Sequence, residues 1–157
     1  MGPTEEIHVY ATAPGGGVHG EIRGRDRVDV YFSTGTYDRS SETELERRLE
    51  GLARLLWAAS ERARRSRHPE VAGGGRETDR DRLFFEQRDA LTAEGRSDDD
   101  RITITVQGMR RWRVRIADDT LRAVRERDFC AAVQVAASRL IADQLAQVIQ
   151  LRGRIYR

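Results

Sequence analysis

The feature that most constrains this chain is a pattern that occurs twice. From Val18 to Phe32, apolar and polar residues alternate on both sides of Gly24, and from Ile102 to Ile116 they alternate in the same way around Gly108. The offset is 108 − 24 = 84, and without a gap it also pairs Val18 with Ile102, Ile22 with Val106, Val30 with Val114 and Phe32 with Ile116. Period-two alternation marks a strand with one buried face, and a glycine between two such runs marks a hairpin turn. The offset continues through Thr36 and Thr120, Tyr37 and Leu121, Leu45 and Phe129, Leu49 and Val133, and Leu56 and Leu140, which are helix-spaced positions. A pattern that passes from strand spacing to helix spacing in register implies a doubled β-β-α unit.

Each copy has a leading strand. Ile7, Val9 and Ala11 alternate with His8 and Tyr10, and the offset places a poorer strand from Leu91, with Ala93 and Gly95 in place of Val9 and Ala11. Pro14-Gly15-Gly16-Gly17 reads as a flexible turn, since a phosphate-cradling Walker loop requires a Lys that this chain lacks. Its counterpart Ser97-Asp98-Asp99-Asp100 lacks the spaced ligands and closing Glu of a calcium loop and reads as a solvated turn. Ser41 and Glu44 match a capping box that opens a helix whose apolar stripe is Leu45, Leu49, Leu52, Leu56, Ala59 and Ala63. Trp57 lies beside that stripe as a packing residue or a ligand platform.

The helix ends in Arg62, Arg64, Arg65, Arg67 and His68, and Pro69 with Gly73-Gly74-Gly75 reads as a linker. Cations at a helix C-terminus are favoured by its dipole, so this cluster is a structural ending or a phosphate contact. Thr78 to Asp89 reads as a short helix whose Phe84 and Phe85 anchor it to the main core. The last helix, from about 128 to 150, is uncharged from Ala131 to Ser138, a surface expected to lie under the helix of the first copy.

All 28 basic residues are Arg, and with 26 acidic residues the formal charge is only +2. That balance argues weakly for a polyanion partner, although Arg makes planar, bidentate contacts that Lys cannot. Arg111, Arg113 and Arg115 fall on one face of the last hairpin strand while Trp112, Val114 and Ile116 fall on the other. This is either a phosphate-binding stripe, extended by Arg110, or a solvated face paired locally with Asp118, Asp119 and Asp128. Cys130 is the only cysteine, which excludes an intrachain disulfide, and its apolar neighbours make it a small hydrophobe rather than a reactive thiol. His8, His19 and His68 are scattered, with no nucleophile-and-base constellation and no metal-ligand set, so no enzyme, cofactor or metal is expected. No signal peptide or membrane-spanning run is visible, and a cytoplasmic chain with no membrane partner is expected.

Ala13-Pro14-Gly15-Gly16-Gly17-Val18, the strand to Gly24, Val28-Asp29-Val30-Tyr31-Phe32 and the capped helix together resemble the YbaB/EbfC family of bacterial nucleoid-associated proteins. The stretch from Ile102 through Gly108 to Ile116 and the helix from Phe129 resembles it too. The resemblance implies an α+β fold of two β-β-β-α repeats, with antiparallel sheets and long amphipathic helices, closed as an intramolecular pseudo-dimer. Residues 1–68 form the first repeat, 69–79 a linker, and 80–157 the second repeat with a short leading helix. The function expected is low-specificity duplex DNA binding in the nucleoid, through Arg110, Arg111, Arg113 and Arg115 helped by Arg62, Arg64, Arg65 and Arg67. The alternative is a protein-interaction or adaptor module that keeps the fold without DNA binding, and further homodimerisation is open.

Overall fold

A computed structural model of the chain describes residues 6–67 and 77–157. The expected linker and His68 therefore lie largely outside the described residues. The fold is α+β, with two antiparallel three-stranded sheets and helices. Strands β1 (His8–Thr12), β2 (Val18–Arg23) and β3 (Arg27–Phe32) form the first sheet in that order, followed by a single turn α1 (Thr36–Arg39) and the long α2 (Glu42–Arg67). After α3 (Asp79–Ala90), strands β4 (Thr92–Arg96), β5 (Ile102–Gln107) and β6 (Arg111–Ile116) form the second sheet, followed by α4 (Thr120–Ala123) and α5 (Glu126–Ile155). Each strand of the second sheet starts and stops 84 residues after its counterpart, and the pairing registers shift by the same amount: Val18 faces Phe32, and Ile102 faces Ile116.

The two sets share one core. Helix α2 packs on β1 and β2 and reaches across to β6, while α5 packs on β4 and β5 and reaches across to β3. Leu45, Leu49, Leu52 and Leu56 of α2 are buried, each contributing about 1.5–3 kcal/mol. The stripe then continues to Ser60 rather than Ala59, because 56 to 60 is a full turn and a packed helix face follows that spacing. Phe32 and Tyr37 close on Phe129 with ring centroids 5.9 and 5.3 Å away, and the Tyr37 hydroxyl donates to the Val124 carbonyl at 2.5 Å. An apolar cavity of about 60 Å³ remains where the sheets and helices meet, lined by Ile22, Val30, Leu52, Trp112 and Leu140 among others.

Several expectations are corrected. The uncharged stretch of α5 lies against β3, β4 and β5 instead of under α2, because its small residues let a sheet approach closely. A Cβ at Gly95 would stand 1.9 Å from the Ala136 carbonyl oxygen, so the glycine that makes β4 look poor is what admits α5. Only Phe84 of the aromatic pair is buried; it meets Tyr156 and Arg152 at the end of α5, outside the main core, while Phe85 is exposed. The turn at Gly15–Gly17 is held rather than loose, with an Arg48 Nη1 donating to the Gly16 carbonyl at 2.9 Å. Ser41 accepts from the Glu44 amide at 3.1 Å without a return bond, whereas Thr78 and Asp81 form the complete capping box that starts α3.

Candidate nucleic-acid interface

Alternation along β4, β5 and β6 sends Ala93, Gly95, Ile102, Ile104, Val106, Val114 and Ile116 into the core. The opposite face is therefore set by the remaining positions: Thr92, Glu94 and Arg96; Thr103, Thr105 and Gln107; and Arg111, Arg113 and Arg115. In register, Thr105 separates Arg113 from Glu94, and Thr103 separates Arg115 from Arg96. Four arginines thus share the face with one carboxylate, and Glu94 is already paired with Arg96 at 3.4 Å.

A row of glutamates on α2 borders this face. The amide of Val114 donates to Glu50 Oε2 at 2.9 Å, that of Ile116 to Glu46 Oε2 at 2.8 Å, and that of Leu121 to Glu42 Oε1 at 3.4 Å. One turn apart on the helix, Glu46 and Glu50 cover the outer edge of β6 and satisfy amides that would otherwise invite another strand, while Glu42 serves the first turn of α4. By spacing alone they read as solvated residues of the polar face; only the approach of β6 gives them this role. These carboxylates keep their negative charge while they accept from the backbone, and no ion pair or side-chain hydrogen bond reaches the guanidinium groups of Arg110, Arg111, Arg113 or Arg115 among the described residues. Asp118, Asp119 and Asp128 form no ion pair among the described residues, although Asp118 lines the same groove as Arg113 and Arg115.

The eight expected contact residues do not form a single surface. Arg113 and Arg115 line a broad groove of about 1130 Å³ between the second sheet and the start of α2, shared with Arg47, Arg96 and Arg101 and with the carboxylates of Glu46, Glu50, Glu94, Asp100 and Asp118. Arg64, Arg65 and Arg110 line a different groove of about 510 Å³, together with Arg25 and Arg88, which the sequence did not single out. Arg111 is exposed beyond both, Arg62 is exposed on α2, and an Arg67 Nη2 donates to the Glu6 carbonyl at 3.3 Å. No spacing along the chain marks Arg25 or Arg88; only the packing of the two hairpin turns, α2 and α3 brings them to this groove.

Trp57 is half-buried, tilted against Trp112 with centroids 6.5 Å apart, and its Nε1 donates to Glu61 at 3.2 Å. The Arg64 guanidinium lies 5.1 Å above its ring. Burial lowers the Arg64 pKa from its usual value, with Glu61 opposing and Arg25 adding to the shift. Ser60 Oγ and Gln144 Oε1, 84 residues apart, are both buried without a hydrogen-bond partner among the described residues, a condition that costs about 1–3 kcal/mol per group. Cys130 is half-buried, and desolvation, aided by Glu126, raises its pKa to about 11, so it carries no thiolate near neutrality.

The first sheet presents different chemistry on the matching face. His8 Nε2 lies 3.2 Å from Glu21, Arg23 lies 3.6 Å from the same carboxylate, and the Tyr10 hydroxyl donates to His8 Nδ1 at 3.3 Å. His19 sits between Thr12 at 3.0 Å and Ser33 at 2.8 Å and stacks on Tyr31. The two imidazoles share the face without sharing a ligand set, and no group of three metal-binding side chains occurs among the described residues. No described helix is long and apolar enough to cross a membrane. No protein-family model, curated protein or solved structure matches the chain.

Proposed function

We propose that the outer face of the second sheet binds duplex DNA through its phosphates with little regard to sequence. The observation that carries this reading is the row Arg111, Arg113 and Arg115, two residues and about 6.6–6.8 Å apart along β6, without an acidic partner among the described residues. Guanidinium groups held on a strand and flanked by threonines can each chelate a phosphate oxygen pair, which positions the protein without reading bases. The resemblance to YbaB/EbfC proteins points the same way, and with it a nucleoid location. We further infer that the chain is a doubled unit closed as a pseudo-dimer. The common offset of 84 and the reciprocal reach of α2 to β6 and α5 to β3 support this.

The test is fluorescence anisotropy with a random-sequence duplex across a salt series. If three or four phosphates are neutralised, affinity falls about 40- to 150-fold between roughly 50 and 200 mM salt. A flat salt response would overturn the reading. The near-balanced formal charge of +2 favours the second reading, a protein-interaction module, and absence of any binding at low salt would support it.

A further inference from the structure

The second groove, about 510 Å³, has one cationic wall and one apolar wall. Its guanidinium groups converge from separate parts of the fold: Arg25 from the β2–β3 turn, Arg64 and Arg65 from the end of α2, Arg88 from α3 and Arg110 from the β5–β6 turn. Two carboxylates accompany them. Glu61 holds Trp57 Nε1 at 3.2 Å and Arg65 at 3.8 Å, and Asp89 lies 3.8 Å from Arg88. The side chains of Arg25 and Arg110 have no ion pair or hydrogen bond among the described residues. Like charges gathered in a concavity repel one another, and an anion seated among them turns that repulsion into charge-assisted hydrogen bonding.

An inorganic anion would have no use for the other wall. Met109, Ile141, Leu145 and Val148 form it, beside Trp57, whose ring carries the Arg64 guanidinium 5.1 Å from its centroid. Gln144 lines the groove at only 8% exposure, and its Oε1 has no partner among the described residues. The terminal torsion of a glutamine is broad, and a carboxamide both donates and accepts, so a turn of this group can meet a heterocyclic edge. The volume lies within the range of small-molecule sites, about 300–1000 Å³.

We propose that this groove binds a nucleoside phosphate, with the phosphate among Arg25, Arg88 and Arg110 and the base against the apolar wall, its edge met by Gln144. The site is separate from Arg113 and Arg115 and does not depend on DNA binding.

The test is calorimetric titration of the full chain with ADP, with inorganic phosphate and with adenosine. ADP is expected to bind about tenfold or more tightly than either fragment, since only ADP engages both walls. Arg25→Glu weakens ADP by about tenfold or more at an unchanged melting temperature, and Arg25→Gln serves if the reversal disturbs folding. Gln144→Leu weakens ADP without weakening inorganic phosphate or lowering the melting temperature, which a purely structural glutamine would not do. An Arg113→Glu/Arg115→Glu variant still binds ADP. The proposal is overturned if none of the three ligands binds, if ADP binds no better than phosphate, or if Arg25→Glu and Arg25→Gln both leave ADP affinity unchanged.

Discussion

The outer faces of the two sheets share a skeleton and differ in chemistry. On the first, His8, Tyr10, Glu21 and Arg23 bond to one another, and His19 is tied to Thr12 and Ser33. On the second, the positions of Arg27, Asp29 and Tyr31 are taken by Arg111, Arg113 and Arg115, and β5 contributes threonines where β2 carries His19 and Glu21. The first face ties its histidines, Glu21 and Arg23 to one another, apart from Arg27 and Asp29; the second leaves three like charges in a row on β6. The edges differ as well: Glu46 and Glu50 seal β6, whereas Cys130 and Gln134 stand 84 residues later on α5 beside β3. Strand pairing constrains only the inward residues and the backbone, so the outward set can change completely while the fold stays the same.

The strongest way to break the comparison is at the strand that leads each sheet. Gly95→Val drives side-chain carbon into the Ala136 carbonyl and should cost about 3 kcal/mol or more in urea unfolding, while Ala11→Gly at the matching position costs about 0.5–1 kcal/mol. Equal losses would mean that α5 does not lie on β4 as described. Next in size is charge. Arg111→Glu, Arg113→Glu and Arg115→Glu combined should lower duplex affinity about 100-fold at low salt and reduce the salt slope by about 3, whereas Arg23→Glu with Arg27→Glu on the first sheet changes it less than about threefold. Comparable losses from both sheets would show that overall charge rather than this face is at work.

The edge seal comes third. Glu50→Ala leaves the Val114 amide without its acceptor and should cost about 2 kcal/mol by chemical denaturation, against about 0.5 kcal/mol for Gln134→Ala.

The smallest effect concerns the matching turns at residues 13–17 and 97–101. Hydrogen bonding from the Ser97 hydroxyl, chiefly, holds the Asp99 pKa below its usual value, with the Arg101 amide and charge adding to it. A lowered folded-state pKa makes the contribution fully present above the ordinary carboxylate range and loses it as pH falls through the Asp99 value. Ser97→Ala should therefore narrow the stability difference between neutral and acid pH by a few tenths of a kcal/mol, and NMR titration should move Asp99 back toward an ordinary carboxylate. Gly15→Ala, in the turn without a carboxylate, leaves the acid dependence as it was.

The sequence by itself determined the strands, their hairpin turns and the long helices. Alternation around Gly24 and Gly108 and the leucine spacing of α2 depend on residues a few positions apart, and local backbone geometry follows from them. The stripe of Arg111, Arg113 and Arg115 was legible for the same reason, since a strand puts every second residue on one side. Tertiary structure alone decided what those residues meet. That Glu46 and Glu50 serve backbone amides 70 and 64 residues away, that Gly95 admits a helix, and that Arg25, Arg64, Arg88 and Arg110 surround one groove depend on the packing of remote segments. Such packing is governed by shape and burial between surfaces, which no periodicity along the chain encodes.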